Sequence, residues 1–139
     1  VLYYLMAIKT AVNYAKLYGL ERRFILMLEE PEAHVFPYYL DTLAEYIGKA
    51  KDYIYVVVAT HNPLLVSMLW DKVRDLKTYY VAREKMYTRV WELDVGRLAE
   101  DLKTAEDLLY MPPREVVSRY VVGAEGGESS AREAGRGEQ

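Results

Sequence analysis

The chain has 139 residues, 52% of them hydrophobic, which allows one domain with a substantial core. It contains no cysteine, so a disulfide framework and a thiolate metal site are both excluded. A formal charge of −3 gives no basic footprint for nucleic acid.

The thermolabile amides are limited to Asn13, Asn62 and Gln139, while charged residues are plentiful and tyrosine occurs 14 times, a usage that suits a thermophile. The apolar start at Val1 to Ile8 is too short to span a bilayer and lacks a basic flank and a cleavage site. Neither a membrane segment nor a signal peptide is expected, and the expected compartment is the cytoplasm.

In chain order, Leu5, Ile8, Val12 and Ala15 recur at helical spacing between Leu2 and Tyr18, and Gly19 is the expected stop, so the first element reads as a mostly buried helix. Phe24 to Leu28 is continuously apolar, the pattern of a strand covered on both faces in a parallel sheet. Glu29, Glu30, Pro31, Glu32 and His34 follow, as if opening a helix. An amphipathic helix is predicted over Phe36 to Ala50, with Leu40, Leu43, Ala44 and Ile47 on its core face. Tyr53 to Ala59 reads as a second buried strand. Asn62 and Pro63 are an N-cap and first-turn pair for a helix through about Trp70.

Lys77 to Arg83 and Tyr87 to Leu93, joined by a charged turn at Glu84 and Lys85, read as a hairpin at the sheet margin. Val95 to Tyr110 carries Leu98, Leu102, Ala105, Leu108 and Leu109 at helical intervals, Pro112 and Pro113 break it, and Glu115 to Val122 adds a short helix. From Gly123 the sequence has little to bury and reads as a disordered tail.

Strand, helix, strand, helix is an α/β arrangement, and in open sheets of this class ligands sit at the carboxyl ends of the strands. Two parallel neighbours would end about 5 Å apart, bringing Glu29, Glu30 and His61 to one rim. There a carboxylate can hold Mg²⁺, a second can orient and partly deprotonate water, and an imidazole can hydrogen-bond a phosphate oxygen.

LMLEEPEAHVFP, residues 26–37, resembles the Walker B strand and following segment of the ABC-type ATPases of the SMC, RecF and OLD-like group, within the P-loop NTPase superfamily and often grouped with the AAA ATPases. VVVATHNPLLVS, residues 56–67, is similar to that group's switch, or H-loop, motif. The resemblance implies a partial parallel sheet of the P-loop NTPase type with flanking helices and a C-terminal hairpin. Residues 1–94 would be the C-terminal part of an ATPase domain, 95–122 C-terminal helices and 123–139 the tail.

The same resemblance implies ATP and Mg²⁺ as ligands and puts Glu29 at the metal-associated acid, where many relatives have Asp. It puts Glu30 at the catalytic base and His61 at the histidine that contacts the γ-phosphate. Glu32 and His34 fall in the segment that faces a partner subunit near the nucleotide.

The phosphate-binding loop GxxxxGK[ST] and the Ser-Gly signature are both missing from this sequence. The chain therefore looks like the carboxyl-terminal half of an ATP hydrolase, expected to be inactive alone. Its expected partners are an N-terminal lobe or complementing chain and, with nucleotide, a second copy.

Other readings of the same residues stay open. Glu29 to Glu32 could be acids favoured by a helix dipole, His34 a surface residue and His61 a structural histidine before a capped helix. Two other functions compete with the ATPase: a noncatalytic interaction module that docks on a partner, and a metal-dependent hydrolase using Glu29, Glu30, Glu32 and His34. The hydrolase suffers because one helical turn does not converge four such side chains on one ion.

Overall fold

The computed structural model describes residues 2–101 and 105–123, apart from the side chain of Glu84. The described chain falls into two compact units, one formed by residues 2–76 with 105–106 and the other by 77–101 with 107–123. The tail expected after Gly123 lies outside the described residues, as does Leu102.

The first unit begins with α1 (Leu2–Leu17). A Schellman motif ends it: Gly19 adopts φ 61°, its N–H donates to the Lys16 carbonyl, and the Leu20 N–H donates to the Ala15 carbonyl. The helix is less buried than its composition suggests. Only Ile8 and Ala15 are fully buried, with Tyr4, Leu5, Ala11 and Val12 packed beside them, while Leu2, Tyr3, Met6, Tyr14, Leu17 and Tyr18 are exposed. Tyr14 stacks edge-on against Phe24 and tilts over Tyr18, which covers part of that surface with aromatic contacts.

Strand β1 (Ile25–Glu29) runs parallel to β2 (Tyr55–Ala59), with Ile25 opposite Tyr55 and Glu29 opposite Ala59. The crossover between them contains α2 (Leu40–Ala50), preceded by a 3₁₀ turn at Pro37–Tyr39. The helix predicted from Phe36 therefore starts later: Phe36 precedes a proline and is extended at ψ 133°, a position that disfavours the α region. The helix expected at Pro31 is replaced by turns, because Glu30 and His34 both take left-handed φ values, 41° and 60°.

Leu40, Leu43, Ala44, Ile47 and Ala50 form the buried stripe of α2, spaced as the sequence indicates. All but Leu40 join Leu28, Ile54, Ile8, Ala15 and the α3 residues Leu65 and Leu69 in one core; α3 spans Pro63–Lys72. Asp41 and Glu45 lie outside, paired with Lys72 and Lys49.

Among the described residues of the first unit the sheet is covered on one face only, where the sequence predicts strands buried on both faces. Leu26, Leu28, Val56 and Val58 point into the core, whereas Ile25 (66% exposed), Met27 (76%), Tyr55 and Val57 form an open apolar face. Within the first unit the core cluster packs on the side of Leu26, Leu28, Val56 and Val58.

In the second unit β3 (Thr78–Glu84) and β4 (Tyr87–Leu93) form an antiparallel hairpin with Tyr80 beside Trp91. The hairpin groups with the C-terminal helices α4 (Val95–Asp101), α5 (Asp107–Tyr110) and α6 (Pro113–Tyr120). The single helix predicted from Val95 to Tyr110 is interrupted: Ala105 is buried, and its N–H donates to Ser67 Oγ at 3.3 Å instead of to a helical carbonyl. The last helix ends two residues early because Val121 is extended and bridges Leu93, with the Val122 N–H donating to the Glu92 carbonyl at 2.9 Å. No helix among the described residues is long and apolar enough to cross a membrane.

Candidate functional site

The two parallel strands deliver their exits to one rim. The ladder continues one residue past β1, where the Glu30 N–H donates to the Ala59 carbonyl at 2.7 Å. Glu30 then turns left-handed, and its side chain leaves the strand direction to meet His61, Nδ1 lying 2.8 Å from Oε1. Both side chains are solvent-exposed, so the contact is a surface pair whose electrostatic strength is screened. With Nδ1–H donated to the carboxylate, Nε2 is the nitrogen left for a further group.

Glu32, two residues on, takes a different course. It is buried at 8% exposure, and its Oε1 accepts a hydrogen bond from the Thr60 hydroxyl. Oε2 is buried with no hydrogen-bond partner. Thr60 Oγ1 in turn accepts from the Asn62 N–H at 3.0 Å. Asn62 Oδ1 accepts from the N–H groups of Leu64 and Leu65 at 2.9 and 3.2 Å, capping α3 as its sequence context predicts.

Of the residues singled out from the sequence, Glu30 and His61 are brought into contact, and Glu32 is tied to the same turn from beneath. The resemblance puts Glu32 in the segment that faces a partner subunit near the nucleotide; here its side chain is turned inward. Glu29 sits opposite Ala59 on the exposed side of the sheet, and His34 occupies an exposed left-handed turn position. Among the described residues neither makes a hydrogen bond or ion pair with the Glu30–His61 pair. No three His, Asp or Glu residues among those described cluster as a metal-ligand set, so a four-residue site from Glu29, Glu30, Glu32 and His34 is not assembled. That counts against the metal-hydrolase reading. A single carboxylate at Glu29 suits Mg²⁺, which commonly takes one or two protein acids and completes its shell with water and phosphate oxygens.

Thr60, which the sequence puts with His61 and Asn62 at the exit of the second strand, had no role assigned to it there. Its signal was present: a buried glutamate requires a donor, and a threonine between a strand end and an Asn-Pro cap is placed to supply one.

No family model and no curated protein matches this sequence. Among solved structures the chain is similar to that of an SMC ATPase, a protein described by ATP-driven dimerization and DNA-stimulated activation. The TM-score is 0.47 at 15% identity, over 63% of this chain and 49% of that one. This chain thus spans about half the length of that structure.

Proposed function

We propose that the chain supplies the Walker B and switch-histidine half of an ABC-type, SMC-like ATPase site within a P-loop NTPase sheet. The observation that carries this reading is the 2.8 Å contact between Glu30 and His61 at adjacent parallel strand exits. An acid and an imidazole so placed suit in-line attack of water on a terminal phosphate. Glu30 acts as the base that orients and deprotonates water; His61, its Nδ1–H given to Glu30, donates from Nε2 to the phosphate oxygens on which charge builds when it is the imidazolium, in which both ring nitrogens are donors. Glu29 would hold Mg²⁺, which when bound would neutralise phosphate charge. His34 lies toward the facing subunit of a nucleotide-dependent dimer.

The phosphate loop comes from protein outside these 139 residues, in cis or in trans. ATP binding and hydrolysis are to be measured for the chain alone and after addition of a phosphate-loop lobe. The chain alone is expected to show no turnover, and the mixture Mg²⁺-dependent turnover. Robust hydrolysis by the isolated chain would refute its incompleteness, and a lobe that docks without restoring any hydrolysis would refute the catalytic reading.

That second outcome would favour a noncatalytic docking module. The observation on its side is the open apolar sheet face of Ile25, Met27, Tyr55 and Val57.

A further inference from the structure

We propose that Glu32 is a positioning residue: buried beneath the strand exits, it fixes the turn that carries His61 and so holds the imidazole against Glu30. The inference rests on reading Glu30 and His61 as the reacting pair. It concerns how that pair is held.

A carboxylate withdrawn from water with one oxygen unpartnered costs free energy, so its presence calls for a reason. The only side chain that hydrogen-bonds to it among the described residues is Thr60. The Thr60 hydroxyl has one proton. Donating it to Glu32 Oε1 leaves the oxygen lone pairs facing the Asn62 N–H, which donates to it. Glu32 therefore fixes the rotamer of Thr60, and Thr60 fixes the backbone of Asn62, the cap of α3. His61 lies between the two and has little backbone freedom left.

On the other side Pro31 restricts the link from Glu32 back to Glu30, whose N–H is bound to the Ala59 carbonyl. Residues 30–32 and 59–61 are thus joined by three hydrogen bonds: Glu30 to Ala59, Glu30 to His61 and Glu32 to Thr60. The first and third set the geometry of the second. An exposed Glu–His contact without such support would be one of many side-chain arrangements.

His34 and His61 are the only histidines, so ¹⁵N-imidazole spectra of the 139-residue chain report on His61 directly, with His34→Gln giving the assignment. At a pH where imidazoles are neutral, the wild-type His61 is expected to be mainly the Nδ1–H tautomer, since Nδ1 faces Glu30. A free histidine prefers Nε2–H. Glu32→Ala should return His61 to an Nε2–H majority, while Glu32→Gln, which keeps an acceptor for the Thr60 hydroxyl, should restore the Nδ1–H majority. Thr60→Val should behave as Glu32→Ala, and Thr60→Ser as wild type.

Loss of stability alone does not produce this pattern, because the tautomer is read on folded protein. Folded Glu32→Ala and Thr60→Val with an unchanged His61 spectrum would overturn the proposal. If Glu32→Ala does not fold, the Thr60 pair decides. A wild-type spectrum without an Nδ1–H majority removes the Glu30–His61 contact and overturns both this inference and the functional reading. Absence of ATP hydrolysis after reconstitution, with the tautomer pattern intact, defeats only the latter.

Discussion

Asn62→Ala tests the local architecture of the site where its energy can be calculated. Asn62 Oδ1 accepts from two backbone N–H groups, those of Leu64 and Leu65. A lost N-cap typically costs about 1 kcal/mol and up to about 2. One of the two donors here belongs to Leu65, which is fully buried and has poor access to replacement water, so the upper half of that range, about 1.5 kcal/mol, is expected. Pro63 at the first helical position remains and limits the damage to the cap itself.

The chain has two tryptophans, Trp70 in α3 and Trp91 in the hairpin. Urea unfolding followed by Trp70 fluorescence in a Trp91→Phe background isolates the affected unit. The midpoint should fall with the slope unchanged. Asn62→Asp should retain most of the lost stability, because a carboxylate caps the helix and favours its positive end. Asn62→Gly should cost less than Asn62→Ala, because glycine lacks the Cβ that shields the freed amides from water. A wild-type midpoint for Asn62→Ala, or a glycine variant weaker than alanine, would contradict the assignment of these two hydrogen bonds as the cap.

Three further outcomes follow from the structure. In the reconstituted enzyme Glu30→Gln should leave nucleotide binding largely intact and slow hydrolysis by orders of magnitude; normal turnover would remove Glu30 as the base. Met27→Lys should change stability by no more than about 0.5 kcal/mol, because Met27 is exposed on the outer sheet face, while lowering self-association in sedimentation; an unfolded variant would mean that this face is internal. On the hairpin, the hydrogen bond to Glu92 holds the Lys77 amine above its usual range. Its small stabilisation is therefore present below the ordinary lysine range and lost as pH rises through the raised value, so melting curves of wild type and Glu92→Gln should converge in alkali.

The periodic elements were legible in the sequence because each was written in a single pattern. The stripe Leu40, Leu43, Ala44 and Ile47 emerges as the buried face of α2, and Gly19 and Asn62 mark helix ends by their own backbone and side-chain chemistry. The apolar runs at Ile25 and Tyr55 misled because continuous hydrophobicity specifies what a strand can bury, and it does not specify that both of its faces are covered. Local geometry was hidden where neighbouring residues compete: Glu30 and His34 break a helix that their composition favours by adopting left-handed backbone. In the site, the meeting of Glu30 and His61 followed from strand order, whereas the inward turn of Glu32 depended on a hydrogen bond to a residue 28 positions away, which no local pattern encodes.

The positive φ of Glu30 bears on how this protein would change under selection for stability alone. Glycine, which has no Cβ, and asparagine, whose short polar side chain can hydrogen-bond locally, occupy that region of backbone space at lower cost than glutamate. A heat-challenge screen that ignores function should thus drift toward Gly or Asn at position 30, erasing the acid while hardening the fold, and a library selected for the proposed ATP hydrolysis should hold Glu there against that pull.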